Sequence, residues 1–237
     1  SSADPSDIGH RQTLNRAGFN LADSVSRTAQ SLDDAITDFE SGIEESTVSV
    51  NRLTSELASV NEAINNIGDV IGAGDMVDKR DRLSRQIAGL TGANVSYSES
   101  GMVQVYLAGH AIVSGVESRD LNVGQDANGN QTILVKTAGG HLDVTSSIGG
   151  ELGGSRQAAD KAVEYLADLD TFAGDFSDAI NGQHALGFDL NGAAGGTVFN
   201  YTVGTEARSM EFSTSIYDDA KLWSFGATAT SSVGDDS

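Results

Sequence analysis

The sequence predicts an α+β fold: a long heptad-patterned helical rod with a small antiparallel β module inserted and a β-rich C-terminal segment. Three observations carry this. Apolar residues recur in steps of three, four and seven from Leu14 to Ile71, the period changes to alternation after Asn94, and a helical period returns from Leu152 to His184.

The long helix comes first. Leu14, Leu21, Val25, Leu32, Ile36, Phe39, Ile43, Val50, Leu53, Leu57, Val60, Ile64, Ile67 and Ile71 fall on one stripe, which a 3.5-residue repeat requires to be buried against other helices. At about 1.5 Å per residue the stripe would reach roughly 85 Å. Pro5-Ser6-Asp7 is a helix-entry turn, and Gly68, Gly72 and Gly74 supply the freedom that termination needs, so the helix runs from Ile8 or His10 to Ile67. Propensity drops at Gly42 and at Thr47, Val48 and Val50, so one helix or two nearly collinear ones are expected.

Asp75 is a candidate N-cap for a second helix, Met76 to Leu90, with Met76, Leu83, Ile87 and Leu90 inward and Gly92 as its stop. The cluster Lys79 to Arg85 reads as a surface ladder in which Asp78 and Arg82, and Asp81 and Arg85, pair at i,i+4. From Asn94 to residue 146, Val103, Val105 and Leu107 alternate against Met102, Gln104 and Tyr106, with hairpin turns at Ser100-Gly101 and Gly109-His110. Strands around Leu121-Asn122-Val123 and Ile133-Leu134-Val135 flank a loop with an Asn-Gly step. The glycine pairs at 139-140, 149-150 and 153-154 return the chain to helix. A third helix, Leu152 to His184, turns Ala159, Val163, Leu166, Phe172, Phe176 and Ile180 inward. Beyond it the chain alternates again, and Ala227 to Ser237 is expected to fray. The expected domains are a helical rod at 8–91 and 149–185, a β module at 92–148, and a β-rich segment at 186–237.

Length accounting adds an expectation. Helices two and three together are shorter than the stripe, so its part from Leu14 to Ile36 would lie bare unless another chain or a further helix covers it.

Composition narrows function. Thirty-four acidic residues against fourteen basic ones give a formal charge of −20 over 237 residues, which argues against nucleic acid and anionic membranes as partners. With no Cys there is no disulfide framework and no thiolate metal site. No apolar run approaches the about 20 residues of a membrane span, and no signal-peptide core follows the polar start.

No motif carries catalysis. G-x-S-x-G, H-E-x-x-H and G-K-[ST] do not occur, and His10, His110, His141 and His184 are scattered. His184 with Asp189 and Asn191 could be a metal or acid/base site, but a helix-ending His followed by an Asp-Leu-Asn-Gly capping turn explains them better. Asp126, Asn128 and Asn130 mimic the first ligands of an EF-hand loop, yet Gln131 stands where Gly is needed and Thr137 where the bidentate Glu belongs, which favours a hairpin loop. Gly72-Ala73-Gly74 follows a helix and lacks the third Gly of a dinucleotide fingerprint, so it is a helix-helix turn. Asn-x-Ser/Thr triplets at Asn94, Asn130 and Asn200 are near chance. No cofactor or metal is expected.

Four segments, in order, carry a family resemblance. Asp75-Met76-Val77-Asp78-Lys79-Arg80-Asp81-Arg82-Leu83 resembles an "LLDQRDxL" helix, and Gly101-Met102-Val103-Gln104-Val105-Tyr106-Leu107-Ala108-Gly109 resembles "GxVxVxLxG" strands. Gly149-Gly150-Glu151-Leu152-Gly153-Gly154 is similar to "GGxLxG", and Asn181 to Gly192 to "NxxHxxGxDLNG". These are segments of the first hook-filament junction proteins of the bacterial flagellum, and the resemblance covers roughly residues 3 to 220. It implies a non-enzymatic structural adaptor that self-associates in a ring between hook and filament. Its implied partners are hook protein and the second hook-filament junction protein, with export to the extracellular flagellum without a cleaved signal peptide. The family's terminal helical segments are not present, so a core fragment is expected, with axially aligned helices packing laterally and the β module projecting outward. Asp78, Arg80, Asp81 and Arg82, with Leu14, Leu21, Val25 and Leu32 of the stripe, are the candidate subunit contacts. The alternative reading is a coiled-coil stalk displaying a β head as an adhesin or binding module.

Overall fold

The structure is a computed structural model that describes residues 7–67, 74–98, 101–127 and 129–226. Asp7 opens the first helix, its Oδ1 accepting the Gly9 N–H at 2.7 Å, which satisfies a donor that the first turn leaves free. The helix α1 then runs Ile8–Ile67 as one element of 60 residues. Gly42 and the β-branched run do not divide it. The end of the stripe at Ile71, the glycines at 68 and 72, Pro5-Ser6, Ser100, Asn128 and Ala227 to Ser237 lie outside the described residues.

α2 spans Gly74–Thr91. Because it starts at Gly74, Asp75 sits in its first turn instead of capping it, where its charge still favours the helix N-terminus. Gly92, at φ +70°, takes the left-handed conformation, and its N–H donates to Ala88 O at 2.8 Å, a helix stop that glycine forms without strain. Leu83 and Ile87 are buried, but Met76 is 37% exposed and does not join the core as its spacing suggests.

The β region forms two antiparallel meanders. The first holds β1 (Asn94–Tyr97), β2 (Val103–Leu107), β3 (His110–Ser114) and β4 (Glu117–Ser118), and the second holds β5 (Leu121–Gln125), β6 (Gln131–Thr137) and β7 (Gly140–Asp143). Val103, Val105 and Leu107 face inward on β2 as the alternation predicts. On β3 the register jumps from Val105↔Val113 to Tyr106↔Ala111, a bulge that lets Ile112 and Val113 both be buried. The β2–β3 turn is Ala108-Gly109, both at positive φ, so His110 already belongs to the strand. Gly139-Gly140 turns β6 into β7 and does not lead to helix, because Thr137 pairs with Gly140.

α3 spans Gly150–Ala185. Gly150 adopts φ +59° beside the end of α2, where a Cβ would stand 2.2 Å from Gly89 O. Gly153 and Gly154 lie inside the helix. The buried face of α3 is Leu152, Ala159, Ala162, Leu166, Ala173, Ser177 and His184, whereas Val163 (47%) and Phe172 (48%) are exposed. Its close contacts are made by small residues, and a stripe drawn through the largest apolar side chains is therefore rotated. After α3 the chain is mostly turns, with β8 (Phe199–Asn200) paired to β9 (Glu211–Phe212) and a short α4 (Thr214–Asp218).

The chain divides into two compact units, Ser1–Ala35 with Ala162–Ser237, and Ile36–Lys161. In the second, Ile43, Val50, Leu53, Leu57, Val60 and Ile64 of α1 share one core with Leu83 and Ile87 of α2, the inner faces of both sheets, and Leu152. The stripe is thus buried against sheets as well as a helix. In the first, the part of α1 expected to lie bare is partly covered by the chain's own C-terminal segment, while Leu14 stays exposed. Gly18 gives way to the Phe212 ring, which would stand 2.5 Å from a Cβ there, and Ser26 Oγ donates to Arg208 O at 2.8 Å. Arg208 also pairs with Asp33 at 2.9 Å. Counting helices alone omitted this segment, which covers α1 with turns.

Candidate assembly surfaces

Of the four charged candidates on α2, the structure turns one inward. Arg80 is 7% exposed. Its Nη1 donates to Gly101 O at 2.6 Å, its Nε and Nη2 reach Asp81 Oδ1 at 2.9 and 2.8 Å, and its guanidinium lies 5.1 Å from the Tyr97 ring centroid. This braces α2 against the β1–β2 hairpin with the planar fork that Arg alone provides. Asp81 is therefore held by Arg80 and not by Arg85. Asp78 and Arg82 are exposed. Lys79 crosses to α1, 2.7 Å from Glu56, and that hydrogen bond holds the Glu56 carboxyl below its usual value. The expected i,i+4 ladder is replaced by ties to neighbouring elements.

Of the four apolar candidates, Val25 is buried, Leu21 and Leu32 are half-buried, and Leu14 is 39% exposed. Leu14 and Leu21 line an apolar groove of about 650 Å³ with Phe176, Ile180, Leu186 and Phe225, and His184 and Trp223 form part of its wall. The structure does not bring the α2 charges and the α1 stripe residues into one patch within a single unit, since they belong to different units.

The His184 region is architectural. His184 is buried, with Nδ1 2.7 Å from Gly196 O and Nε2 accepting the Ser224 N–H at 2.9 Å. Asp189 Oδ1 accepts the N–H groups of Asn191 and Ala193, both at 2.8 Å, as the capping turn predicts. Arg11 donates to Trp223 O at 2.5 Å, and burial lowers its basicity while the Asp189 charge opposes that. Asp126 accepts the Asn130 N–H at 2.9 Å and its side-chain amide at 3.0 Å within the β5–β6 hairpin. Among the described residues no group of three or more His, Asp or Glu is arranged to hold a metal ion. No described helix is long and apolar enough to cross a membrane.

Apolar spacing does not reveal the polar side chains that tie the helices to distant parts of the chain, and four of them are asparagines. Asn15 donates to Ile216 O at 2.8 Å and accepts the Trp223 indole N–H at 2.5 Å. Asn51 donates to Leu121 O and accepts its N–H, both at 2.8 Å. Asn61 donates to Val103 O at 2.8 Å and Gly115 O at 2.7 Å, and accepts the Val103 N–H at 3.1 Å. On α3, Asn181 accepts the N–H groups of Val198 and Phe199 and donates to Phe199 O, at 2.7, 3.0 and 2.8 Å. The signal was available: Asn is a poor interior helix residue, and each of these sits inside a helix.

Comparisons place this architecture. The model of the flagellar hook-associated protein FlgK helical domain matches residues 1–199. Flagellar hook-associated protein 1 of Escherichia coli K12 is 30% identical over 81% of this chain, and that of Bacillus subtilis 168 is 25% identical over 82%. The solved structure of the flagellar hook junction protein FlgK from Burkholderia pseudomallei superposes with a TM-score of 0.70 at 27% identity, covering 83% of this chain. The chain spans 37% of the length of the first and third of these and 44% of the second. With a matching family model over most of its length and a fold shared at that score, the chain belongs to the flagellar hook-associated protein FlgK family and carries its helical domain.

Proposed function

We propose that this chain is part of a structural, non-enzymatic subunit of the bacterial flagellum, placed where the hook meets the filament. The observation that supports it most is the family match over residues 1–199, together with relatives that are all hook-associated proteins. On this reading the subunit is exported without a cleaved signal peptide, joins copies of itself in a ring, and contacts hook protein on one side and the second junction protein on the other. Nucleic acid and membrane have no part in it.

The contact set follows the same reading. Asp78 and Arg82, exposed on α2, and Leu14, exposed on α1, are offered to neighbouring subunits, with Asp81, Leu21 and Leu32 half-buried behind them. Arg80 and Val25 act from inside, holding the surfaces that the others present. The helical part (8–91 and 149–185), the β module (92–148) and the C-terminal segment (186–237) are the working divisions of this subunit.

The test is assembly by the full-length subunit. It should bind isolated hook ends in sedimentation and electron microscopy, and Leu14→Asp or the double change Asp78→Lys with Arg82→Glu should weaken binding while leaving the circular dichroism spectrum intact. A full-length subunit that ignores hook ends, or stable dimers of this chain alone through α1, would overturn the junction reading.

A further inference from the structure

The first turns of α1, the end of α3 and the strap Leu222–Gly226 come together around one side chain. His184 is 4% exposed, and both ring nitrogens are committed to backbone. A carbonyl oxygen can only accept, so Nδ1, 2.7 Å from Gly196 O, carries the hydrogen. A peptide N–H can only donate, so Nε2, 2.9 Å from Ser224 N, is the acceptor. The backbone fixes a single neutral tautomer. Glycines keep the ring in place: a Cβ on Gly195 would stand 2.7 Å from Nδ1, and one on Gly187 would stand 2.5 Å from Ser224 O.

The strap is held by the burial of Trp223 and by polar ties on either side of this ring. Trp223 packs edge-on to His184 at 5.5 Å, gives its indole N–H to Asn15, and offers its carbonyl to Arg11. Gly226 exchanges backbone hydrogen bonds with Phe188 at 2.9 and 3.0 Å. Between these ends, the Ser224 amide donates to Nε2 and, among the described residues, to no other acceptor. Phe225 is 43% exposed on the groove.

We propose that His184 is an acid-sensitive latch for this strap. Adding a proton to Nε2 sets an N–H against the Ser224 N–H, so the bond cannot persist, and Trp223 and Phe225 are released from α1 and α3. The charged side chains on the segments packed here are Arg11 of α1, Asp189 of the capping turn and Lys221 beside the strap. Arg11 adds a second cation close to the imidazolium. Asp189 has its Oδ1 taken by two backbone amides, and Lys221 is exposed. Among the described residues, the groove wall beside His184 carries no carboxylate. His10, His110 and His141 are exposed.

The test uses the 237-residue chain from about pH 7.5 to about pH 5. Nitrogen-15 spectra of the imidazole are recorded alongside Ser224 amide exchange and the fluorescence of Trp223, the single tryptophan. The expected result is an Nδ1-protonated neutral ring at the upper end, with the Ser224 protection factor, corrected for the intrinsic pH dependence of exchange, falling at least about tenfold in step with protonation of His184. His184→Gln places a non-titrating oxygen near the Nε2 position and should flatten the Trp223 response. A Ser224 amide that stays protected once the imidazolium has formed overturns the latch, as does a folded His184→Gln chain with the wild-type acid transition. If that variant does not fold, the wild-type coincidence decides.

Discussion

Replacing Asn61 with alanine strips three hydrogen bonds from one fully buried position on α1. The Asn61 amide spans Val103 N–H, Val103 O and Gly115 O at 2.7 to 3.1 Å. On its other side Val103 pairs with Tyr97, but opposite Asn61 the β2–β3 ladder begins only at Val105. The side chain therefore stands where a neighbouring strand would. With each bond worth about 1 kcal/mol net, and more where a buried group is left unpaired, Asn61→Ala should cost about 3 kcal/mol. In urea, with a slope of about 2 kcal/mol/M, that lowers the midpoint by about 1.5 M. Circular dichroism gives the midpoint, and hydrogen exchange at Val103 and Leu107 shows whether the loss is centred on β2. Asn61→Leu fills the volume without the bonds and should fare no better, because Val103 and Gly115 stay unpaired. A cost under about 1 kcal/mol for Asn61→Ala, or a leucine variant as stable as the native chain, would refute the claim that this amide substitutes for a strand.

Three further outcomes follow from the same contacts. Arg80→Lys keeps the charge but loses the fork to Gly101 O and Asp81, so it should destabilise by about 1–2 kcal/mol and speed exchange at Ser98 and Met102, measured by mass spectrometry. Gly18→Ala and Gly42→Ala should differ in sign: the first meets the Phe212 ring at 2.5 Å and should lower the melting temperature, whereas the second meets nothing within 4 Å and should gain up to about 1 kcal/mol of helix propensity. The Lys79–Glu56 tie depresses the Glu56 carboxyl below 4.5, so its contribution is whole above that value and is lost as pH falls through the lower folded value. Because Glu56 is about a third exposed, the term is at most about 1 kcal/mol, and Glu56→Gln should remove that part of the acid-side loss in urea titrations at pH 3 and pH 6.

How much was legible depended on whether the informative atom was apolar. Ile43, Val50, Leu57 and Ile64 announce α1 and its buried face, and Val103, Val105 and Leu107 announce β2, because burial of large side chains repeats with the period of the backbone. The periodicity argument fails where small or polar residues are buried. Ala162, Ala173 and Ser177 form the inner face of α3, and a stripe drawn through Val163 and Phe172 points elsewhere. The cover over the first part of α1 was illegible for a related reason. It consists of turns and the short α4, held by Asn15, Arg11 and Ser26 through carbonyl oxygens, and no hydrophobic period records a carbonyl. The four α2 charges look equivalent in sequence. Only the fold places Tyr97 and Gly101 where Arg80 can reach them.

The asparagines explain why α1 can carry so much non-helical chain. A side-chain amide has the donor and acceptor of a peptide group, so an Asn on a helix can complete hydrogen bonding for a strand edge or a turn that has no strand beside it. Asn51 does this for the start of β5, Asn61 for β2 and the β3–β4 turn, and Asn15 for the last carbonyls of α4, while Asn181 does the same from α3 for the start of β8. Each clamp meets a backbone segment at least 17 residues away, as with Asn181 and Val198, so it fixes tertiary register as well as local shape. The apolar stripe then has less to do: it supplies burial, and the amides supply position. Sequences that keep the heptads of α1 but lose these asparagines should retain helix content by circular dichroism and lose amide protection in β2, β5 and β8. Retained protection in all three would show that apolar packing alone sets the register, contrary to the geometry of these bonds.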